Sequence, residues 1–539
     1  MSSATDLSQV DMSKVSSLSS HKPRNEWKFI CGFDDITPQT GVCALIDGKQ
    51  IAIFRFDDMV FAVDNYDPAS EANVISRGLV GDLNGELVVA SPIYKHHYSL
   101  VSGRCLEDPE NSIAAYPVRV MDGKVWVQSA PLKRAGRRKL VVIGNGMAGM
   151  RAVEELLQLA PNTYDITVFG SEPHGNYNRI LLSPVLSGEK KADDIMINSL
   201  DWYAEKGITL HAGDPVIEID RKHRVVKAKS GLEVPYDRIL LATGSNPIVL
   251  PIPGKYLSGV VTFRDLHDVD VMLAASKQYK RAVVIGGGLL GLEAAYGLKR
   301  RGMEVMVVHL LDTLMERQLD KAAADLLKAS LEKRGLNFKM AAKTAEILGD
   351  QRVTGVRFED GEQLQADLVV MAAGIRPNVE LAKSAGLRCE RGVIVDDSMQ
   401  TFDPSIYAVG ECVQHRNLTY GLVAPLWDQA RVCAIHLAEV GVSYYRGSLI
   451  STQLKVTGID LFSAGDFVGG PNSEALVMKD AKRGIYKRIV IEDNKIKGAV
   501  LYGDTKDGPW YFELMNEQRD IGSLRDRLLF GASFADSAA

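Results

Sequence analysis

The chain has 539 residues, 63 basic against 68 acidic side chains for a formal net charge of −5, and an apolar fraction of 46%. That length allows about three or four domains, and the ordinary globular composition argues against wholesale disorder. No apolar run approaches the roughly 20 residues that span a bilayer, and no basic stripe interleaved with aromatics marks a nucleic-acid surface, so neither membrane nor nucleic acid is an expected partner.

The first 25 residues are Ser-rich with no apolar core, which predicts a disordered leader rather than a secretory signal. The six cysteines (Cys31, Cys43, Cys105, Cys389, Cys412, Cys433) form no C-x-x-C and no metal-like cluster. This sparse usage points to the cytoplasm and removes an obvious redox dithiol.

Residues 26–128 predict an all-β domain, with short β-branched runs punctuated by Asp47-Gly48, Asp57-Asp58, Asn84-Gly85, Ser102-Gly103 and Asp122-Gly123. A linker at 129–138 leads through five basic residues between Lys133 and Lys139 and reads as a solvated hinge. From Lys139 the pattern becomes strand, glycine turn, helix. It occurs twice, in KLVVIGNGMAGMRAVEELLQL and RAVVIGGGLLGLEAAYGLKRRG. Each copy is followed by a strand ending in a glycine turn, Thr243-Gly244 and Ala373-Gly374, 100 residues after Gly144 and 88 after Gly286 respectively. The chain therefore holds an internal repeat of two α/β Rossmann-like dinucleotide-binding units. Beyond Tyr444, the runs ALVMK, YKRIVIE and GAVLYG predict strands of a small α+β C-terminal domain ending in a helix, and GASFADSAA a disordered tail.

In the first unit Gly144, Gly146 and Gly149 give G-x-G-x-x-G between a strand and a helix whose start is Met147 and Ala148. The first glycine permits the tight turn, the second the approach of a pyrophosphate, the third close helix–strand packing. The anion would sit on the free N–H groups of the helix. Glu172 is the candidate ribose acceptor, although Gly170 holds the more usual acidic place. The second unit supplies Gly286, Gly288 and Gly291, with Leu289, Leu290 and Glu293 opening its helix. Its ribose position is His309, neither the carboxylate that favours NADH nor an arginine that favours a 2′-phosphate; Arg317 is a candidate for that phosphate, and the sequence leaves NADH and NADPH open. A third signal, PSIYAVGEC, delivers Gly410 and Glu411 at the end of a buried strand, where the carboxylate can accept from ribityl hydroxyls.

Together these residues resemble the pyridine nucleotide:FAD oxidoreductases related to glutathione reductase, over about residues 139–440. The resemblance implies FAD on 139–265 and 366–440, NAD(P)H on the inserted 266–365, and a C-terminal domain at 441–530 before a tail at 531–539. The disulfide reductases of that family carry a cysteine pair beside the flavin; here Cys412 follows Glu411 alone, so it reads as packing and the electrons are expected to leave for an external metal centre.

The stretch Tyr177-Asn178-Arg179-Ile180-Leu181-Leu182-Ser183 resembles the flavin-adjacent Y-D/E-R-x-x-L-S segment of ferredoxin-reductase-like and nitrite-reductase-type flavoproteins. Ferredoxin reductases have a lysine after the serine. Pro184 stands there instead, which points to the nitrite reductase branch. GLVAPLWDQA, Gly421 to Ala430, resembles the flavin-adjacent helix start of the assimilatory NAD(P)H nitrite reductase large subunit. Arg179, Ser183, Pro425 and Trp427 are thus flavin-adjacent catalytic candidates. The chain stops before that family's [2Fe-2S] and sirohaem modules and is not expected to reduce nitrite itself.

SPIYKHHYSLVSGRC resembles the second half of a Rieske domain, with Ser91 at the cluster cysteine and Tyr94 at the cluster histidine; Asp67-Pro68-Ala69 occupies the C-P-H of the first half. A Rieske centre needs two thiolates and two imidazoles. All four are replaced, so no iron–sulfur cluster is expected, and the adjacent His96 and His97 are not read as a metal site. Ligand-less Rieske folds resemble the small subunit of the same nitrite reductase. The expected function is an FAD-dependent NAD(P)H oxidoreductase passing electrons to a separate iron–sulfur, sirohaem or molybdenum reductase subunit in nitrite or nitrate assimilation, with a homo-oligomer possible. Alternatives are a ferredoxin or oxygenase reductase, and a redox-sensing flavoprotein resembling apoptosis-inducing factor.

Overall fold

The computed structural model describes residues 26–83, 86–132, 137–441, 443–449, 451–456 and 458–535. The leader, the Asn84-Gly85 turn, residues 133–136 of the basic linker and the last four residues lie outside these. The described chain forms two compact units, one holding the N-terminal β domain and one holding Arg137–Glu155, Asn162–Ala434 and Tyr444 onward.

In the β domain, Thr40–Ile46, Lys49–Phe56, Met59–Asp64 and Ala115–Tyr116 make one antiparallel sheet. Trp27–Gly32, Lys124–Gln128 and Val118–Met121 make a second, and Leu79–Leu83, Glu86–Ala90 and His97–Ser99 a third. Asp47-Gly48 and Asp122-Gly123 have both residues at positive φ (48° and 82°, 51° and 69°), the conformation a two-residue hairpin turn needs to match strand twist. The inward residues Ile51, Ile53, Val60, Ala62, Val118, Val120, Val125 and Val127 form one core.

The repeat in the sequence is a repeat in space. The first parallel sheet runs Thr209–His211, Tyr164–Phe169, Arg138–Ile143, Arg238–Leu241, Ile406–Ala408. The second runs Asn337–Lys339, Glu304–Val308, Arg281–Ile285, Leu368–Met371, Val260–Thr262. In both, the strand that feeds the glycine loop is central and apolar on both faces, as a parallel strand covered by helices must be. Val260–Thr262 and Leu368–Met371 hydrogen-bond into the second sheet, although boundaries at 265 and 366 leave them with the first. The two downstream glycine turns then run into each other: Ser245–Pro247 pairs antiparallel with Ile375–Pro377.

The C-terminal sheet is five-stranded and antiparallel, Ser451–Val456, Ile459–Gly465, Lys495–Tyr502, Ile485–Glu492, Glu474–Asp480. Helix Gly508–Asn516 buries Tyr511, Leu514 and Met515 against it. Tyr486 Oη donates to Asp320 Oδ2 at 2.5 Å and Tyr502 Oη to the Leu326 carbonyl at 3.2 Å, tying this sheet to helix Lys321–Lys333. The tail departs from expectation: Ala532–Ala535 forms a helical turn, with Phe534 against Phe530 at 6.1 Å between ring centres. The Ala532 N–H that opens the turn donates to Asp507 Oδ1 at 3.2 Å, a partner 25 residues away.

Candidate functional site

The two glycine loops share their geometry. Gly144 has φ +116°, and a Cβ there would lie 2.1 Å from the Ala242 carbonyl oxygen; Gly286 has φ +131°, and its Cβ would lie 2.2 Å from the Ala372 oxygen. Only glycine satisfies both the backbone and the clearance. A Cβ on Gly149 or Gly291 would meet the loop's own first glycine, at 3.0 and 2.0 Å from its oxygen, so these positions let the helices close on their strands. At Gly146 and Gly288 a Cβ would meet nothing within 4 Å. The second glycine of each loop therefore faces open space, at the first turn of helices Met147–Leu159 and Leu289–Arg300, where free N–H groups suit a pyrophosphate. The residues between differ. Asn145 accepts from Tyr203 Oη at 2.6 Å and donates to the His174 carbonyl at 3.2 Å, and a Cβ on Gly170 would press on it at 3.0 Å. That contact explains why the usual acidic place holds glycine. A Cβ on Gly287 would collide with Leu314 at 2.6 Å and the His309 ring at 2.8 Å.

The expected flavin residues meet in one polar network. Glu172 accepts from Tyr177 Oη at 2.6 Å and pairs with Arg179 Nη2. Arg179 Nη1 donates to the Arg264 carbonyl at 3.0 Å, and the Arg264 guanidinium pairs with Glu411, which also accepts from Ser245 Oγ at 2.7 Å. Burial alone would lower the basicity of the Arg179 guanidinium, but Tyr177 and Glu172 beside it hold its pKa above the usual value. Arg264 joins the two carboxylates, and sequence reasoning missed it because it follows a short strand at no motif spacing. Thr243 Oγ1 donates to the Asn378 carbonyl at 2.7 Å, and Asn378 N–H to the Gly244 carbonyl at 2.9 Å, which fixes the Thr243-Gly244 turn on the ribbon from the second unit. Gly374 mirrors Gly244, at φ +109° against +67°.

Behind Gly410 (φ +94°) the fully buried Gln429 accepts from the Gly410 N–H at 2.9 Å. His415 Nδ1 is buried without a partner among the described residues, and the His415 and Tyr420 rings pack on Tyr445 at 4.9 and 5.8 Å. Such an orphaned ring nitrogen ordinarily meets ordered water or a ligand. Gln429 was within reach of the sequence, inside GLVAPLWDQA, but nothing there marks it above its neighbours. Pro425 is buried in the first turn of helix Val423–Ala438, and Trp427 lies under the Arg151 guanidinium at 5.6 Å. Ser183 Oγ donates to Glu293 Oε2 at 2.5 Å, linking the short helix Leu182–Ser187 of the flavin half to the glycine-loop helix of the other. Burial pushes the Glu293 carboxyl up to about 7.

His309 is nearly buried and turned inward. Its Nδ1 accepts from the Gly287 N–H at 3.0 Å, while Nε2 faces the Thr313 carbonyl at 3.0 Å and Glu316 Oε2 at 3.3 Å. Arg317 is exposed. Cys412 is fully buried with its thiol toward the Leu241 and Val409 carbonyls, and burial raises it; a thiolate nucleophile is disfavoured there.

In the β domain three of the four Rieske motif positions, Asp67, Ala69 and Ser91, meet, and the fourth, Tyr94, does not join them. Buried Asp67 accepts from Ser91 Oγ at 2.5 Å, Tyr98 Oη at 2.6 Å, Ser70 Oγ at 2.8 Å and the Ala69 N–H at 3.1 Å. Burial opposes ionisation, yet these donors hold the carboxyl below its ordinary range. Tyr94 is exposed, and Lys95 takes φ 63° at the motif's glycine position. An oxygen-only set already spent on internal hydrogen bonds does not fit a [2Fe-2S] centre, and no group of His, Cys, Asp and Glu among the described residues could hold a metal ion.

The family model for pyridine nucleotide-disulphide oxidoreductases matches residues 138–434, over half of the chain. The chain belongs to this family. Within this oxidoreductase, residues 26–128 match the Rieske-like [2Fe-2S] domain and 451–519 the rubredoxin NAD+ reductase C-terminal domain. It is 53% identical over 386 residues to a nitrite reductase [NAD(P)H] of Bacillus subtilis, covering 72% of this chain and 48% of that protein. It is 45% identical over 393 residues to an assimilatory nitrate reductase electron transfer subunit of the same organism, covering 73% and 51%. The oxidoreductase thus spans about half the length of the curated relatives it matches. Among solved structures it resembles a ferredoxin reductase for the CYP199A2 system of Rhodopseudomonas palustris, with TM-score 0.63, 28% identity, and coverage of 68% and 91%. No helix among its described residues is long and apolar enough to cross a membrane.

Proposed function

We propose that this oxidoreductase takes a hydride from NAD(P)H onto FAD and passes electrons to a separate metal-containing subunit of nitrite or nitrate reduction. The observation that carries the reading is the pair of glycine loops with matching backbone and clearances, each open at its second glycine. One of them adjoins the Glu172–Arg179–Arg264–Glu411 network.

Gly144, Gly146, Met147, Ala148 and Gly149 would hold the FAD pyrophosphate, and Glu172, Arg179, Thr243, Gly244, Gly410 and Glu411 would hold the rest of the cofactor. The dinucleotide takes Gly286, Gly288, Leu289, Leu290 and Gly291, with Ala373-Gly374 beside them. Bound flavin supplies the hydride acceptor. The protein's part is to stack the two rings at short distance, and the Ser183–Glu293 contact between the two halves serves that alignment. Cys412 takes no part. The second unit's boundaries follow its sheet, from about 257 to 372.

The β domain holds no cluster in this reading. It is a docking or stabilising module whose former ligand loops are tied by Asp67. Stoichiometric iron in reconstituted protein would remove that assignment. The names of the Bacillus subtilis relatives favour a nitrite or nitrate reductase partner; the likeness to a ferredoxin reductase keeps a ferredoxin acceptor as the second reading. Anaerobic titration with NADH and NADPH, followed by each candidate acceptor, decides between them. A flavin that neither nucleotide bleaches overturns the enzyme, and faster reoxidation by a ferredoxin than by a nitrite or nitrate reductase partner selects the second reading.

A further inference from the structure

The adenosine end of the second unit is built differently from what its sequence position announces. His309 directly follows strand Glu304–Val308, where a ribose-binding side chain is expected. Its Nδ1 is occupied as an acceptor by the Gly287 N–H at 3.0 Å, which leaves the Nε2 side of the ring to face outward contacts. The histidine is a clamp: its ring packs where a Cβ on Gly287 would stand, and Met315 N–H returns to the Gly287 carbonyl at 3.1 Å. This fold-back brings Glu316 to the same end of the strand, with its Oε2 3.3 Å from His309 Nε2. The Glu316 side chain keeps 36% of its exposure, enough to accept a hydrogen bond from a ligand. Leu310 and Leu311, the next residues, are exposed at 60% and 45%, an apolar surface of the kind an adenine ring covers.

Resting on the dinucleotide reading above, we propose that Glu316, oriented by His309, is the residue that selects NADH over NADPH. The carboxylate accepts from a ribose 2′-hydroxyl and repels a 2′-phosphate, which carries up to two negative charges. Arg317, the phosphate candidate by sequence, has no comparable fixing contact among the described residues. A group held in place discriminates more than one that must be ordered on binding.

The test uses the full FAD-loaded chain and calorimetric titration with ADP-ribose and 2′-phospho-ADP-ribose, alongside stopped-flow flavin reduction by NADH and NADPH. The unphosphorylated ligand binds about ten-fold tighter or better, and Glu316→Gln shrinks that ratio to about three-fold or less with flavin content and spectrum unchanged. Equal or tighter binding of the phosphorylated ligand overturns the inference alone. So does a ratio that Glu316→Gln leaves untouched, or one that Arg317→Ala shifts further than Glu316→Gln does. Binding of neither ligand overturns the dinucleotide reading and this inference with it.

Discussion

The glycine loops and the former Rieske ligand loops show two opposite states of a binding site. At Gly146 and Gly288 the protein leaves open space at the helix starts. At Asp67 a carboxylate, three hydroxyls and a backbone N–H satisfy one another in a buried place, while His96 Nδ1 of the neighbouring loop is buried without a partner among the described residues. A site shaped for a ligand keeps its polar groups and volume in reserve. The polar groups around Asp67 are spent on one another, because an unpaired buried polar group costs more than a made hydrogen bond returns.

Substitutions can break that comparison, and the largest effect belongs to Gly144→Val. Its side chain would stand against the Ala242 carbonyl at a positive φ, strain of about 3 kcal/mol or more before any clash is relieved; the purified variant should lack flavin absorbance. Gly288→Leu is the contrasting probe. Nothing crowds its Cβ, so the protein keeps its FAD and its melting temperature while KM for NADH rises about 100-fold, roughly 2.7 kcal/mol of binding. Loss of FAD from this variant would mean the two units have been assigned in reverse.

Asp67→Ala asks whether the closed site is structural. Three hydroxyls lose their acceptor, at about 3 kcal/mol in total, read as lost hydrogen-exchange protection across 67–105 with flavin reduction unaffected. Because the folded Asp67 carboxyl lies below its unfolded value, the wild-type contribution is present above about pH 4 and is lost as pH falls through the folded value.

Glu293 titrates in the other sense. Its folded value of about 7 lies above the unfolded one, so its share of stability falls as pH rises from about 4.5 to 7 and is flat beyond. Glu293→Gln should therefore stabilise the protein more at pH 8 than at pH 5, by up to about 3 kcal/mol, read as a larger rise in melting temperature at the higher pH. A variant that shifts both melts equally would show that the carboxyl is already ionised. The smallest effect is Gln429→Leu, which leaves the Gly410 N–H without its acceptor for about 1–2 kcal/mol, measured as about a ten-fold weaker FAD dissociation constant.

Much of this was written along the chain. The two G-x-G-x-x-G loops, their matching downstream turns and the Gly410-Glu411 strand end were legible because each rests on local backbone geometry, which glycine spacing encodes directly. The hairpins at Asp47-Gly48 and Asp122-Gly123 were legible for the same reason. Arg264 and Gln429 were not, since each acts on a group 147 or 19 residues away. Nor was the role of Gly287, which looks like a spare glycine until the His309 ring is placed against it.

The sequence by itself determined the repeat and which residues stand at the Rieske motif positions, because both are read directly from residue identity and spacing. Only the tertiary structure decided what fills the vacated positions and what stands at the ribose end of the second unit. Asp67 meets Ser91 across 24 residues and Tyr98 across 31, and Glu316 reaches His309 only when its loop folds back on Gly287. Such contacts depend on chain return and burial, and no local pattern of spacing records them.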